Sequence, residues 1–217
     1  LTGNCVLSDC LNSMSLMADI LGEKSDAGLF AAQRDSLNRK IHARFYHPAD
    51  STYATGSPLD MSYPMLTGVV PDSLRSAVTA RLLALSRGKY KSHIAAGLVG
   101  TYIFTQWAVD NGECQLMYDI LKKRSYPGYL YMIDHGATTT WEYWSGERSH
   151  IHNCYNGVGI WFTQALGGIV PDMSRPGYRH VLISPQKPDG IDWVSVDKET
   201  PYGTIRVSWH GARLSVE

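Results

Sequence analysis

One short stretch of the chain, residues 135–154, gathers most of the side chains that could do chemistry. Its sequence is HGATTTWEYWSGERSHIHNC, with three consecutive threonines, two tryptophans, three histidines and two glutamates. Carboxylates and imidazoles act as general acids and bases, and indoles stack on amphipathic ligands. Because the stretch has no regular apolar periodicity, we expect a loop, and rigidly held loops often carry functional residues.

Glu142 is the first candidate within this stretch because it lies between two tryptophans, Trp141 and Trp144. A wall of this kind is partly apolar and can stack on the face of a sugar. The spacing alone leaves Glu142 open between a catalytic carboxylate and an ordinary hydrogen-bonded surface acid. Asp134 and Glu147 are rival carboxylates in the same region.

The histidines and cysteines do not form a recognisable metal motif. His150 and His152 are two residues apart, so an extended backbone would direct them to opposite faces. The four cysteines lack the short paired spacing of zinc ligands. We expect them to be small buried side chains, and a disulfide between Cys5 and Cys10 stays open. No phosphate-loop, nucleophile-elbow or dinucleotide motif is present, so we predict no metal and no cofactor.

Composition and charge argue against two classes of partner. The 217 residues include 20 basic and 20 acidic side chains, which gives a net charge of +0. Nucleic acids and anionic membranes both favour a basic face, so neither is the expected partner. No apolar run approaches the roughly 20 residues that span a bilayer. The N-terminal segment also lacks the basic and apolar regions of a signal peptide.

Helical periodicity extends over residues 8–168, the part of the chain that must position the loop. Apolar residues recur at helical spacing in successive segments separated by short turns. The predicted helices cover 8–22, 25–45, 59–66, a stretch within 69–88, 98–109, 113–123 and 157–166, and 45–58 is predicted to be a loop. Short helical hairpins in sequence indicate a mainly helical barrel or solenoid.

The pattern changes after Pro171, where short runs favour β-structure. Residues 203–209 alternate between apolar and polar side chains, and a second run over 212–217 follows a turn. This pattern predicts the start of an antiparallel β-sandwich. The predicted division is therefore a helical portion over 1–172 and a β-sandwich portion over 173–217.

Three stretches, in this order, carry a family resemblance. They are GATTTWEYW at 136–144, SHIHNCYNGVGIWFTQALGGI at 149–169 and PGYRHVLISP at 176–185. Together they resemble the C-terminal part of the catalytic region of bacterial α-L-rhamnosidases, glycoside hydrolase family 78. HIAAGLVGT at 93–101 also resembles a family segment. The resemblance covers nearly the whole chain and is most specific over 93–180.

The resemblance implies a partial (α/α)6 barrel of helical hairpins whose active site is built from loops at one end. It implies inverting hydrolysis of terminal α-L-rhamnose, with Glu142 as the general base that activates water. His152 would bind the sugar near the reacting carbon. Trp141 and Trp144 would form part of the pocket wall.

The chain also departs from the family pattern in ways that bear on activity. Ile151 and Asn153 replace the usual residues beside His152, so the substrate or its linkage is expected to differ. Inverting hydrolysis needs a second carboxyl group about 6.5–9.5 Å from the base. In the family this general acid lies on an acidic loop upstream, and nothing before Cys10 resembles that loop. We therefore expect this chain to be part of a larger multidomain chain that supplies the acid.

Two other functions stay open from the sequence. One is a non-catalytic carbohydrate-binding or scaffold domain that keeps the same fold. The other is a different (α/α)6 enzyme, such as a lyase or phosphorylase, although Arg148 alone is a poor phosphate site. The expected partner is a rhamnose-containing oligo- or polysaccharide. The compartment stays open, with a periplasmic or extracellular location favoured over the cytoplasm.

Overall fold

The computed structural model describes all 217 residues, which form two compact units. Unit 1 contains residues 1–91 and 95–100, and unit 2 contains residues 92–94 and 101–217. Helices dominate the chain up to residue 166, and antiparallel strands follow. The predicted fold class, mainly helical with antiparallel strands at the C-terminal end, is therefore confirmed.

Unit 1 is built on a hairpin of two long helices, α1 (Thr2–Ile20) and α2 (Lys24–Phe45). The helices run antiparallel, because Ser15 near the end of α1 bonds to the Ala27 carbonyl at the start of α2. Farther from the turn, the buried Ser8 hydroxyl donates to Asn38 over 2.6 Å. Buried polar groups that are paired in this way fix the register of two helices.

The rest of unit 1 consists of two shorter helices and a small hairpin. The strands β1 (Tyr46–His47) and β2 (Thr52–Tyr53) pair within the segment that the sequence predicts to be a loop. Helix α3 (Pro58–Leu66) begins after Ser57, whose hydroxyl accepts the Asp60 N–H as an N-cap. Helix α4 (Asp72–Arg87) has Asp72 in its first turn, where a carboxylate complements the helix dipole.

Unit 2 contains several helices in addition to the stretch that carries the candidate site. Helix α5 (Gly97–Asp110) contributes most of its length to this unit, and α6 (Cys114–Leu121) and the short α7 (Tyr129–Asp134) follow. A 3₁₀ helix (Asn153–Val158) precedes a π-helix (Trp161–Leu166). The segment predicted as a helix over 157–166 is thus helical, with 3₁₀ geometry at its start and π-helical geometry at its end. Helix α7 was not predicted.

Five strands complete unit 2. β3 (Ile169–Pro171) pairs with β4 (Val181–Ile183), and β5 (Trp193–Thr200), β6 (Gly203–His210) and β7 (Arg213–Val216) form an antiparallel meander. The predicted boundary at residue 172 lies between the paired strands β3 and β4 and stays a prediction. The Trp209 indole N–H donates to the Leu166 carbonyl over 2.8 Å, which ties the meander to the end of the π-helix.

The cysteines divide into two groups, and all four are free thiols. Cys5 and Cys114 are buried as the sequence predicts, and burial raises the pKa of each thiol to about 11. Cys10 and Cys154 are exposed, so the prediction of burial is wrong for these two. None of the helices combines the length and the apolar character that crossing a bilayer requires.

Gly168, which follows the π-helix, packs closely against the backbone of Ser184 and Pro185, and substitution of this glycine tests that contact. Its φ is +65°, and an added Cβ would lie 2.2 Å from the Pro185 nitrogen. Gly168→Ala should lower the free energy of unfolding in urea by more than about 2 kcal/mol, because backbone atoms cannot move aside. Gly159→Ala is the control, since that position has φ −55° and no atom within 4 Å. Equal effects of the two substitutions would contradict this packing.

Candidate active site

The loop over residues 135–152 contains no helix or strand, as the sequence predicts, yet its backbone is tied in two places. The His152 N–H donates to the Thr140 carbonyl, and the Glu142 N–H donates to the Ser149 carbonyl, both over 2.9 Å. The Thr139 hydroxyl also donates to the His150 carbonyl. Residues 139–142 and 149–152 therefore form the two legs of a short ribbon within the loop, which we call the ribbon.

Trp141 is the packing centre of this ribbon. Its side chain is 6% exposed, and its backbone N–H points at the Met132 sulfur of α7, 3.5 Å away. The His150 ring stacks on the indole with centroids 4.8 Å apart, and His150 Nε2 lies 2.7 Å from the Gly146 carbonyl. A Cβ on Gly146 would lie 2.8 Å from the indole, so this position has to be glycine. Trp141 thus stabilises the loop from inside.

Glu142 follows Trp141 and has a different environment. Its side chain is 23% exposed, and one carboxylate oxygen lies 3.7 Å from the Arg148 guanidinium. Arg148 has a φ of +59° and also lies over the Tyr143 ring at 5.1 Å. This partly exposed ion pair adds little to stability but puts a cation beside the carboxylate. A half-buried carboxylate that water can reach is able to activate that water as a general base.

His152 lines an open cavity of about 600 Å³ beside the ribbon. The remaining lining residues are Tyr129, Met132, Ile133, Ala137, Thr138, Thr139, Thr140, Ile151, Asn153 and Asn156. The cavity therefore combines an apolar side with a polar side that offers imidazole, amide and hydroxyl groups. Glu142, Trp141 and Trp144 are not among its lining residues, and their contact with a sugar stays a prediction.

Thr140 connects the ribbon to the polar side of the cavity. Its hydroxyl lies 2.7 Å from the His152 carbonyl and 2.9 Å from the Asn156 side-chain oxygen. Asn156 belongs to the 3₁₀ helix that follows the ribbon. These contacts fix the backbone at His152 relative to the next element.

Trp144 forms an aromatic cluster with Tyr129 and Tyr155. It meets the Tyr129 ring edge-on at 5.2 Å and the Tyr155 ring at 4.2 Å. The Tyr129 hydroxyl donates to the Tyr155 carbonyl over 2.8 Å. Burial raises the pKa of the Tyr129 hydroxyl well above its usual range, so the group stays protonated and keeps donating.

The two alternative carboxylates, Asp134 and Glu147, have environments that differ from that of Glu142. Asp134 forms an ion pair with Arg124 at the end of α7. Glu147 is exposed in the turn between the two legs of the ribbon. No group of three or more histidine, cysteine or carboxylate side chains comes together in a way that could hold a metal ion.

Sequence reasoning missed Tyr129, Met132 and Asn156 as parts of the site. Tyr129 and Met132 lie three residues apart on α7, and this spacing in YLYMID was the available signal for a helix. The sequence could not indicate the contact of Asn156 with Thr140, because the two residues lie 16 positions apart along the chain.

Comparison with known families gives two matches that together cover almost the whole chain. Residues 1–166 match the bacterial alpha-L-rhamnosidase 6 hairpin glycosidase domain. Residues 168–217 match the bacterial alpha-L-rhamnosidase C-terminal domain.

Individual relatives agree with these matches. An alpha-L-rhamnosidase of Alteromonas sp. (strain LOR) is 28% identical over 202 residues, which is 87% of this chain and 22% of that protein. An alpha-L-rhamnosidase of Streptomyces avermitilis is 32% identical over 152 residues, 65% of this chain and 14% of that protein. The chain thus spans about a fifth or less of the curated relatives it matches.

Solved structures show the same fold. The chain superposes on Streptomyces avermitilis alpha-L-rhamnosidase complexed with L-rhamnose with a TM-score of 0.89 at 24% identity, over 98% of this chain and 22% of that one. Alpha-L-rhamnosidase from Aspergillus terreus gives a TM-score of 0.86 at 20% identity, over 94% and 24% of the two chains.

Thr140→Val tests whether the threonine hydroxyl supports the loop. Valine keeps the shape but removes the hydroxyl that lies 2.7 Å from the His152 carbonyl and 2.9 Å from the Asn156 side-chain oxygen. We expect the free energy of unfolding to fall by about 1–2 kcal/mol and the His152 amide to exchange faster with deuterium. Thr138→Val is the matched control, because that exposed hydroxyl bonds to no other group of the chain. Equal losses in both variants would refute this role.

Proposed function

The chain belongs to the bacterial α-L-rhamnosidase family of six-hairpin glycosidases, and on this premise we propose that its protein hydrolyses terminal α-L-rhamnose from glycans or glycosides. The observation that carries the proposal is the ribbon, which ties the Trp-Glu run to His152 beside a sugar-sized cavity. The relatives named above are called α-L-rhamnosidases, which agrees with this activity. The reaction proposed is hydrolysis with inversion at the anomeric carbon.

Glu142 is the proposed general base. On its leg of the ribbon it lies two residues beyond Thr140, which lines the cavity, and two residues of extended chain cover roughly 6–7 Å. The proposal requires that a water held by the Glu142 carboxylate reaches the sugar at the rim of the cavity. Arg148 places a positive charge 3.7 Å from this carboxylate.

The cavity itself is proposed to hold the rhamnose ring. His152, Asn153 and Asn156 offer hydrogen bonds to sugar hydroxyls on one side. Met132, Ile133 and Ile151 form an apolar side, which suits a 6-deoxy sugar because rhamnose carries a methyl group in place of a primary alcohol.

The general acid is proposed to come from a part of the protein outside these 217 residues. Asp134 is engaged by Arg124, and Glu147 is exposed at the tip of the ribbon. An inverting pair needs carboxyl groups about 6.5–9.5 Å apart, with a water next to the base and the acid next to the leaving oxygen. Neither rival is held in such an arrangement by the contacts it makes.

One observation favours a second candidate, a non-catalytic sugar-binding domain with the same fold. Glu142 is not among the residues that line the cavity, whereas His152 is. A domain that only binds rhamnose would need His152 and the apolar side but not Glu142. The two candidates therefore differ in their dependence on the Glu142 carboxylate.

Glu142→Gln in the complete protein separates these candidates. The amide cannot accept a proton from water, so kcat on p-nitrophenyl α-L-rhamnoside should fall roughly 10²–10⁴-fold while KM changes little. Glu147→Gln is the matched control and should keep nearly full activity. Near-normal turnover by the Glu142→Gln variant would rule out Glu142 as the base.

The isolated 217-residue chain gives a second test. Without the general acid it should release no more than traces of p-nitrophenol from the same substrate, even when circular dichroism shows that it is folded. Turnover comparable with that of the complete protein would contradict the claim that the acid lies elsewhere.

A further inference from the structure

His150 connects two parts of the ribbon through its side chain. Its ring stacks on the Trp141 indole, with the centroids 4.8 Å apart and the planes inclined by 22°. Its Nε2 atom lies 2.7 Å from the Gly146 carbonyl. A carbonyl oxygen can only accept, so Nε2 carries a hydrogen and donates it. One imidazole therefore holds both the first leg of the ribbon and the turn at its tip.

The stacked pair lies between the two backbone hydrogen bonds of the ribbon. One of these bonds joins residues 142 and 149, and the other joins residues 140 and 152. Trp141 and His150 lie between these positions on their respective legs. Aromatic side chains that meet across two paired segments stabilise the pairing. The stack therefore supports the backbone bond of Glu142, which directly follows Trp141.

The tip of the ribbon packs on the same stack. The Gly146 N–H donates to the Tyr143 carbonyl over 3.0 Å, and a Cβ on Gly146 would lie 2.8 Å from the Trp141 indole. The hydrogen bond from His150 to the Gly146 carbonyl fixes this turn further. His150 thus holds the chain on both sides of Glu142, through Trp141 before it and through Gly146 after it.

The two residues of the proposed site do not depend on His150 equally. The backbone at His152 has a further tie, because the Thr140 hydroxyl lies 2.7 Å from the His152 carbonyl and 2.9 Å from the Asn156 side-chain oxygen. Glu142 relies on the stack that precedes it in the chain and on a partly exposed ion pair at 3.7 Å. Loss of the His150 side chain is therefore expected to disturb Glu142 more than His152.

We propose that His150 is a positioning residue of the hydrolysis, which sets the orientation of Glu142 through its stack on Trp141 and its hydrogen bond to Gly146. This role rests on the proposed function, with Glu142 as the general base. His150 is not among the residues that line the cavity, so its effect reaches the sugar through Glu142. A displacement of about 1 Å in a catalytic group can cost a reaction roughly 10²-fold in rate.

Steady-state kinetics of the complete protein on p-nitrophenyl α-L-rhamnoside test this role. His150→Leu removes both the stacking ring and the N–H donor, so kcat should fall about tenfold while KM stays within about twofold. His150→Phe restores a stacking ring and should bring kcat back to within about threefold of the native value. A kcat for His150→Phe no higher than that for His150→Leu, or a loss that appears in KM instead of kcat, would overturn the role.

A double-mutant cycle with Glu142→Gln separates positioning from a general loss of structure. If His150 acts through the Glu142 carboxylate, His150→Leu should change the residual kcat of the Glu142→Gln variant by less than about twofold. A tenfold loss in both backgrounds would show that His150 only stabilises the fold, and it would overturn the proposal.

His135→Leu is the matched control. His135 is also exposed, its ring stacks on Tyr131 at 3.9 Å, and its Nδ1 atom lies 2.8 Å from the Tyr131 carbonyl, but it lies outside the ribbon. Its substitution should leave kcat within about twofold, and a loss as large as that of His150→Leu would contradict a role specific to the ribbon. Near-normal turnover by Glu142→Gln would refute the base and this role together, whereas an additive cycle would refute the role of His150 alone.

Discussion

Two backbone hydrogen bonds, from His152 to Thr140 and from Glu142 to Ser149, hold the part of the molecule on which the proposed chemistry depends. The residues involved have no helix or strand to order them, and ordering each one costs roughly 1–2 kcal/mol of conformational entropy. The ribbon offsets this cost with backbone pairing, with the threonine hydroxyls and with the burial of Trp141. Glu142, the proposed base, and His152, the proposed sugar-binding residue, thereby share one support.

The packing of Trp141 and Trp144 explains why the loop contains aromatic residues. Trp141 packs against His150 and Met132, and Trp144 packs against Tyr129 and Tyr155. These ring contacts pack the loop against its neighbours in the absence of a helix or strand. They leave the adjacent Glu142 side chain only partly covered, as its proposed role as a base requires.

The sequence was informative where a pattern extended over many residues. The long helices and the alternating strand β6 were predicted because periods of 3.6 and 2 are visible in these segments. Helix α7 has six residues and shows too few turns for a period to emerge. The Trp-Glu run identified Glu142, but spacing could not reveal that Trp141 is buried against Gly146 and His150, because side-chain partners depend on the fold of the loop.

A crystal structure of the complete protein with L-rhamnose bound tests the role of Glu142 most directly. The proposed mechanism predicts the sugar in the cavity against His152, with a water between the Glu142 carboxylate and the anomeric carbon. It also predicts a second carboxyl group about 6.5–9.5 Å from Glu142, on the opposite side of the ring. Rhamnose bound away from His152, or a Glu142 carboxylate that faces no part of the sugar, would contradict it.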